Sequence, residues 1–110
     1  MDISVLVPLY NEAESLPSLH EWIVRVMQEH HFSYEVVYVN DGSSDDSWQV
    51  IKSLREQDAH VKGICFRRNY GKSAALHCGF QVVQGDVVIT MDADLQDSPD
   101  EIPELYRMIK

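Results

Sequence analysis

Four apolar, β-branched runs recur along the chain, and each is followed by a stretch whose apolar residues repeat at helical spacing. The first run, Ile3-Ser4-Val5-Leu6-Val7, has the pattern of a strand covered on both faces. Leu16, Leu19, Ile23, Val26 and Met27 then share one helical face, and Asn11 with Glu14 predicts a capping pair at its start. The second run, Glu35 to Val39, closes on Asn40-Asp41-Gly42. The helix after it carries Trp48, Ile51 and Leu54 on one stripe, with Ser44 as its expected cap. The third run, Val61 to Phe66, gives way to Arg67-Arg68-Asn69-Tyr70-Gly71-Lys72 and then to a helical stretch with Ala75, Leu76, Gly79, Phe80 and Val83. The fourth, Asp86 to Met91, ends in Asp92-Ala93-Asp94. Ser98-Pro99-Asp100-Glu101 then starts a last helix with a Ser cap, Pro in the first turn and Glu three residues after the cap.

This alternation predicts an α/β fold, a three-layer α/β/α arrangement around a mainly parallel sheet with right-handed crossovers. No repeat, low-complexity tract or linker divides residues 1–110, so one unit is expected. The sequence stops inside its fourth helical pattern, at Met108-Ile109-Lys110, and reads as part of a larger domain cut after Asp92-Ala93-Asp94. Such a cut is expected to leave apolar sheet edge or helix face open to self-association.

A chain of 110 residues with 45% hydrophobic and 25% charged residues supports one real core and excludes disorder. Nine Lys and Arg against 18 Asp and Glu give a net charge of −9, which argues against a nucleic-acid partner. No apolar run approaches the roughly 20 residues of a membrane span, and Met1-Asp2-Ile3-Ser4 lacks the basic start of a signal peptide. Cys65 and Cys78 lie in apolar segments without a second pair, and are expected to be buried free thiols of a cytoplasmic chain. His20, His30, His31, His60 and His77 show no metal-ligand spacing. Four read as surface or helix-end residues, and His77 as a candidate for the rim described next.

In open α/β sheets ligands bind at the carboxyl ends of the strands, and the unusual polar residues fall at those four ends. Asp92 and Asp94, at i and i+2, repel each other unless a cation or hydrogen bonds lie between them. Their hard oxygens suit Mg²⁺ or Mn²⁺, with Gln96 and Asp97 near enough in sequence to contribute. The competing reading is a solvated acidic turn that caps the next helix. Asp41 ends the second strand before a glycine turn, where a carboxylate accepts hydrogen bonds from a base or ribose, or closes an Asx turn. Arg67, Arg68 and Lys72 put three of the nine basic residues in six positions, suited to a diphosphate or to a loop paired with nearby acids. Gly71-Lys72-Ser73 resembles the end of a phosphate-binding loop, but that motif requires Gly where Phe66 stands. Pro8-Leu9-Tyr10-Asn11 likewise replaces a dinucleotide-binding glycine turn. Tyr10 suits stacking on a base or packing on its own helix.

Together these segments resemble family-2 glycosyltransferases of the GT-A fold. The resemblance rests on Ile3 to Glu12, on Val39-Asn40-Asp41-Gly42-Ser43-Ser44-Asp45-Asp46-Ser47 and on Asp92-Ala93-Asp94. Arg68 to Leu76 and Asp92 to Pro103 are similar to the polyprenyl-phosphate branch, which includes dolichol-phosphate mannosyltransferases and bactoprenol glucosyltransferases. The resemblance implies that Pro8, Tyr10 and Glu12 line the base and ribose and that Asp41 reads the base. It also implies that Arg68 and Lys72 approach the donor, and that Asp92 and Asp94, with Gln96, hold Mg²⁺ or Mn²⁺ and through it the diphosphate.

The implied reaction is inverting transfer of a hexose from a UDP- or GDP-sugar to a polyprenyl phosphate, at the cytoplasmic side of the membrane for the parent protein. The present chain itself is expected to be soluble. The metal stabilises the departing diphosphate, and a lipid phosphate, already an anion, attacks without a general base. Family members with hydroxyl acceptors take their base from sequence beyond the metal motif. No catalytic base is therefore expected among these residues, and no transferase activity from them alone. Two further readings compete. A non-catalytic nucleotide-binding or interaction module would bind without metal. An aspartate-based phosphohydrolase is disfavoured because its acidic pair usually follows the first strand.

Overall fold

The computed structural model describes residues 1–110. Four strands form one parallel sheet: β1 (Ile3–Leu9), β2 (Tyr34–Asn40), β3 (Val61–Cys65) and β4 (Val87–Thr90), in the order β3-β2-β1-β4. Helices α1 (Leu16–Glu29), α2 (Ser47–Gln57) and α3 (Lys72–Phe80) make the three crossovers. A 3₁₀ turn at Pro99–Glu101 leads into α4 (Ile102–Ile109). No helix is long and apolar enough to cross a membrane.

The strand order explains the layers. The chain moves one way across the sheet from β1 to β3, then returns past β2 and β1 to β4, so right-handed crossovers put α3 on the face opposite α1 and α2. The larger core joins Ile3, Val5, Val7, Val36 and Tyr38 to Leu19, Ile23 and Met27 of α1, Ile51 of α2 and Ile102 of α4. The smaller core joins Leu6, Val37 and Val39 to Ala75 of α3. Full burial of a side chain such as Ile23 stabilises by about 1.5–3 kcal/mol. Gly79 lets α3 approach the sheet closely, because a methyl group there would meet Leu6 Cδ1 at 2.2 Å.

Every residue of β1 and β2 is buried, as their apolar runs predict, including Ser4 and Glu35. Glu35 takes the Ser4 hydroxyl and the Gln84 amide on Oε2, while Lys62 lies 2.6 Å from Oε1. Burial pushes the Glu35 carboxyl up, but the contacts from Lys62, Ser4 and Gln84 outweigh it and hold the carboxyl below its ordinary value.

Several local expectations are corrected. Asn11 and Glu14 do not cap α1, which starts later, at Leu16 with Pro17 in its first turn. Asn11 instead adopts φ +55° and bonds to the loop after β2. Ser44 does not cap α2, whose N-cap residue, Asp46, makes no side-chain cap bond; Asp45, one residue earlier, accepts the Ser47 amide at 2.9 Å. α3 ends at Phe80, which is half exposed, and Val83 lies beyond it. Ser98 does accept the Asp100 amide as expected, although it caps a 3₁₀ turn. Both cysteines are free, but neither is buried: Cys65 is exposed because β3 is an edge strand and its last side chain escapes cover, and Cys78 is half-buried on α3.

Candidate functional site

The strand order reverses between β1 and β4, and that is where an open α/β sheet forms its crevice. The local register widens it. β4 pairs with β1 only from Ile3 to Leu6, whereas β2 stays paired to Leu9. Pro8 lies in the part of β1 that β4 does not reach, so its missing N–H costs no ladder bond on that side.

Pro8, Leu9, Tyr10, Asp41, Asn69, Gly71 and Lys72 line a cavity of about 350 Å³ at this position. A smaller cavity of about 70 Å³ adjoins it, lined by Pro8, Lys72, Leu76, Thr90, Met91, Asp92 and Asp97. The ends of β1, β2 and β4 and the loop before α3 therefore contribute to one rim. Tyr10 presents a half-exposed ring there, positioned for stacking against a planar ligand.

The loops that build the rim are tied to one another. The Asn11 side-chain oxygen accepts the amides of Ser44 (2.8 Å) and Asp45 (3.2 Å), and the Asn11 amide donates to Ser43 Oγ (2.8 Å). The Glu12 amide donates to Ser47 Oγ at 3.0 Å, and the Ser15 hydroxyl lies 2.6 Å from the Ala93 carbonyl oxygen. Slight burial pushes the Asp45 carboxyl up, but donors from Ser47 and Ala13 outweigh it and lower its pKa. The first, second and fourth strand ends are thus stitched by short polar contacts.

Asp41 is buried and fixes the third loop. Its Oδ1 accepts the Tyr70 amide at 2.8 Å and its Oδ2 accepts the Gly71 amide at 3.0 Å. Each carboxylate oxygen has a second lone pair, so Asp41 can anchor the loop and still accept a ligand N–H or O–H. Gly71, with φ +100°, turns the chain into α3 and places Lys72 at its first position. The Lys72 ammonium lies 2.7 Å from Asp92 Oδ1, and that bond, with Asp97 and Asp94 nearby, raises its pKa.

Asp92 and Asp94 flank the buried Ala93. Asp92 is half-exposed and lines the smaller cavity, and Asp94 is exposed. The Asp92 amide is held by Asp97 Oδ2 at 2.9 Å, and Asp94 Oδ1 accepts the Gln96 amide at 3.2 Å. Leu95 takes φ +67° to make this turn. No cluster of three or more His, Cys, Asp or Glu side chains gathers into a metal site. The donor set nevertheless fits Mg²⁺ or Mn²⁺, which are bound through one or two carboxylates while phosphate oxygens and water complete the shell.

Pro8, Tyr10, Asp41 and Lys72 thus share one cavity, and Asp92 lies beside it through Lys72. Asn69, which the sequence reading passed over, joins them; its place beside two flagged arginines was the available signal. Four expected residues stand apart, and one of them, Asp94, lines neither cavity. Glu12 directs its carboxylate to the Ser15 hydroxyl (2.9 Å) at the start of α1 and does not line the cavity. Arg68 lays its guanidinium over the Tyr70 ring, 4.9 Å from the centroid, on the exposed side of the loop. Gln96 touches Asp94 through its backbone, and the residue is exposed. His77 is exposed beside Gln81 and takes no part in the rim cavities.

A second cavity of about 350 Å³ lies at the amino ends of the strands, lined by residues including His20, Tyr34, Asp58 and His60. Here the surface assignment for His20 is corrected: the ring is buried, with Nδ1 2.8 Å from the Tyr38 hydroxyl and Nε2 2.9 Å from Asp58 Oδ2. His60 Nδ1 lies 2.6 Å from Asp58 Oδ1, and its ring stacks on Tyr34 at 4.2 Å. Burial, reinforced by the Asp58 charge, pushes the Tyr34 phenol up to about 12 and raises that of Tyr38 further. These groups are satisfied by one another, so this cluster reads as structural and the strand-end rim as the candidate site.

Residues 4–110 match Glycosyl transferase family 2. The chain is 44% identical over 107 residues to undecaprenyl-phosphate 4-deoxy-4-formamido-L-arabinose transferase of Sodalis glossinidius, covering 96% of this chain and 33% of that protein. It is 45% identical over 104 residues to the transferase of the same name from Proteus mirabilis, covering 94% and 32%. The chain thus spans about a third of the length of these curated relatives.

Among solved structures, Staphylococcus aureus TarS 1-349 in complex with UDP superposes with a TM-score of 0.75 at 22% identity, over 99% of this chain and 32% of that one. The mannosyltransferase PcManGT from Pyrobaculum calidifontis, in complex with GDP-Man and Mn²⁺, gives 0.73 at 24% identity, over 91% and 30%. Glucosyl-3-phosphoglycerate synthase from Mycobacterium tuberculosis, with Mn²⁺, UDP-glucose and phosphoglyceric acid, gives 0.75 at 21%, over 98% and 39%. These are GT-A glycosyltransferases, and at such identities they establish the shared fold.

Proposed function

The chain belongs to glycosyl transferase family 2, and on that premise we propose that its strand-end rim holds the nucleoside diphosphate of a sugar donor together with Mg²⁺ or Mn²⁺. The protein of which these residues are a part then transfers the sugar to a polyprenyl phosphate. The observation that carries this reading is the convergence of Pro8, Tyr10, Asp41, Asn69, Gly71 and Lys72 on one cavity, with Asp92 adjoining it through Lys72.

Each residue has a part that its position supports. The Tyr10 ring stacks on the base and Asp41 accepts a hydrogen bond from it, using a lone pair left free by Tyr70 and Gly71. Lys72 offers an ammonium to the diphosphate, and Arg68 adds positive charge at the entrance. Asp92 and Asp94 hold the metal. When bound, the metal supplies charge stabilisation to the departing diphosphate. A polyprenyl phosphate is anionic at neutral pH, so no side chain of this rim is needed as a general base.

The acceptor follows the names of relatives 44–45% identical to this chain. Those names also give the transferred sugar as 4-deoxy-4-formamido-L-arabinose, a pentose derivative. We place that class ahead of the hexose implied by resemblance alone. The solved structures with hexose nucleotides, those holding GDP-Man and UDP-glucose, are only 24% and 21% identical to this chain.

Calorimetric titration with UDP and with GDP, each with and without Mn²⁺, tests the reading. One nucleotide is expected to bind in a metal-dependent manner, with affinity reduced roughly tenfold or more by Asp94→Ala. Binding that ignores the metal and survives both Asp92→Ala and Asp94→Ala would instead identify a non-catalytic nucleotide module.

A further inference from the structure

Lys72 is a wall of both rim cavities, the one holding Tyr10 and Asp41 and the one holding Asp92 and Asp97. Its backbone is set by Gly71, which Asp41 anchors, whereas its ammonium is exposed at the end of a four-carbon stem with several rotatable bonds. Its ammonium sits 2.7 Å from Asp92 Oδ1. A divalent cation at Asp92 needs that same carboxylate, and two cations there repel each other.

We propose that Lys72 is a built-in placeholder for the metal. It neutralises Asp92 while the donor site is empty, holds down the metal affinity of the free protein, and moves to the diphosphate oxygens when nucleotide and metal arrive together. The inference rests on the proposed donor site for the position of the diphosphate. Two consequences follow from the geometry. Metal binding to the nucleotide-free chain sets a second cation against the carboxylate that Lys72 already neutralises, so it is weaker than the carboxylates alone would allow. Nucleotide gives the displaced ammonium a new anionic partner, so each ligand strengthens the other by the same factor.

The test is Mn²⁺ binding by the nucleotide-free chain, read from the electron paramagnetic resonance signal of free Mn²⁺ at low ionic strength. Lys72→Met is expected to bind Mn²⁺ roughly two- to fivefold more tightly than the parent, the range set by a solvent-exposed ion pair. Lys52→Met, on the exposed face of α2, removes the same charge elsewhere and is expected to change nothing. Asp92→Asn is expected to weaken Mn²⁺ binding. Added nucleotide should raise Mn²⁺ affinity less in Lys72→Met than in the parent. Equal or weaker Mn²⁺ binding by Lys72→Met, binding absent from both chains, equal tightening in Lys52→Met, or indifference to Asp92→Asn overturns the proposal. The first comparison needs no nucleotide, so tighter Mn²⁺ binding with no response to UDP or GDP would mark failure of the donor-site reading alone.

Discussion

Gly42 packs directly against the backbone of Arg68. A methyl group on Gly42 would stand 2.1 Å from the Arg68 carbonyl carbon and 2.4 Å from the Asn69 amide nitrogen. Gly42 also holds φ +68°, which a residue with a Cβ adopts only with strain. The turn after β2 and the loop before α3 can therefore meet only because this position has no side chain.

Gly42→Ala is expected to destabilise the fold by more than about 1 kcal/mol and to weaken nucleotide binding roughly tenfold, because loop 67–72 must shift. Gly71→Ala is the comparison, since a methyl group there meets no atom within 4 Å and the cost is limited to the strain of φ +100°. Urea unfolding and nucleotide calorimetry on both variants check this. Equal effects on binding would show that contact with Arg68 is not what matters.

Asp41→Ala removes the acceptors of the Tyr70 and Gly71 amides. Charged acceptors contribute about 1.5–3 kcal/mol, so hydrogen exchange at these two amides is expected to accelerate roughly ten- to hundredfold. Amides in the middle of β1 should keep their protection. Unchanged exchange at Tyr70 and Gly71 would refute the anchoring role of Asp41.

Tyr38→Phe deletes a fully buried hydroxyl and leaves His20 Nδ1 without a partner. The expected loss is about 1–3 kcal/mol by urea unfolding, with no change in nucleotide affinity, since this cluster lies at the amino ends of the strands. A selective loss of binding would tie the cluster to the rim.

Asp58 is the residue through which acid should act. Burial raises its pKa, but the His60 amide and the His60 and His20 rings outweigh this and lower it below the ordinary 3.8; Tyr34 and Tyr38 complete its surroundings. A carboxylate with a depressed folded-state pKa contributes stability that is complete above its unfolded value and lost as pH falls through the folded one. Glu35, also lowered, acts in the same direction. Unfolding free energy is thus expected to fall below roughly pH 5, and to fall less steeply in Asp58→Asn. Superimposable acid limbs for the two chains would exclude Asp58 as a source.

Much of this molecule was legible in its sequence because the signals were local. The runs Ile3 to Val7 and Glu35 to Val39 are short, β-branched and bounded by turn residues, as strands are, and the alternation with helices implied a parallel sheet. Pro8, Tyr10, Asp41 and Asp92 were legible as rim residues because each lies at or just beyond a strand's carboxyl end, and Lys72 because it closes the basic loop after the third strand. The misses involve partners distant in sequence. Nothing near His20 shows that Tyr38 and Asp58 will close around it, and nothing near Asn11 shows that it serves the loop 33 residues away instead of its own helix. Glu12 followed the strand-end rule but was drawn to Ser15 by a nearer hydroxyl.

Sequence alone determined the strand–helix order, the two buried central strands and the acidic pair at Asp92 and Asp94, since periodicity and residue chemistry are properties of neighbouring positions. Tertiary structure decided which strand ends came together in one rim. It set β4 beside β1, left Pro8 beyond β4's reach, turned Asp41 onto Tyr70 and Gly71, and brought Lys72 to Asp92 across 20 residues of chain. Those relationships depend on crossover handedness and on the closure of loops against one another, and short-range patterns of residue type do not encode either.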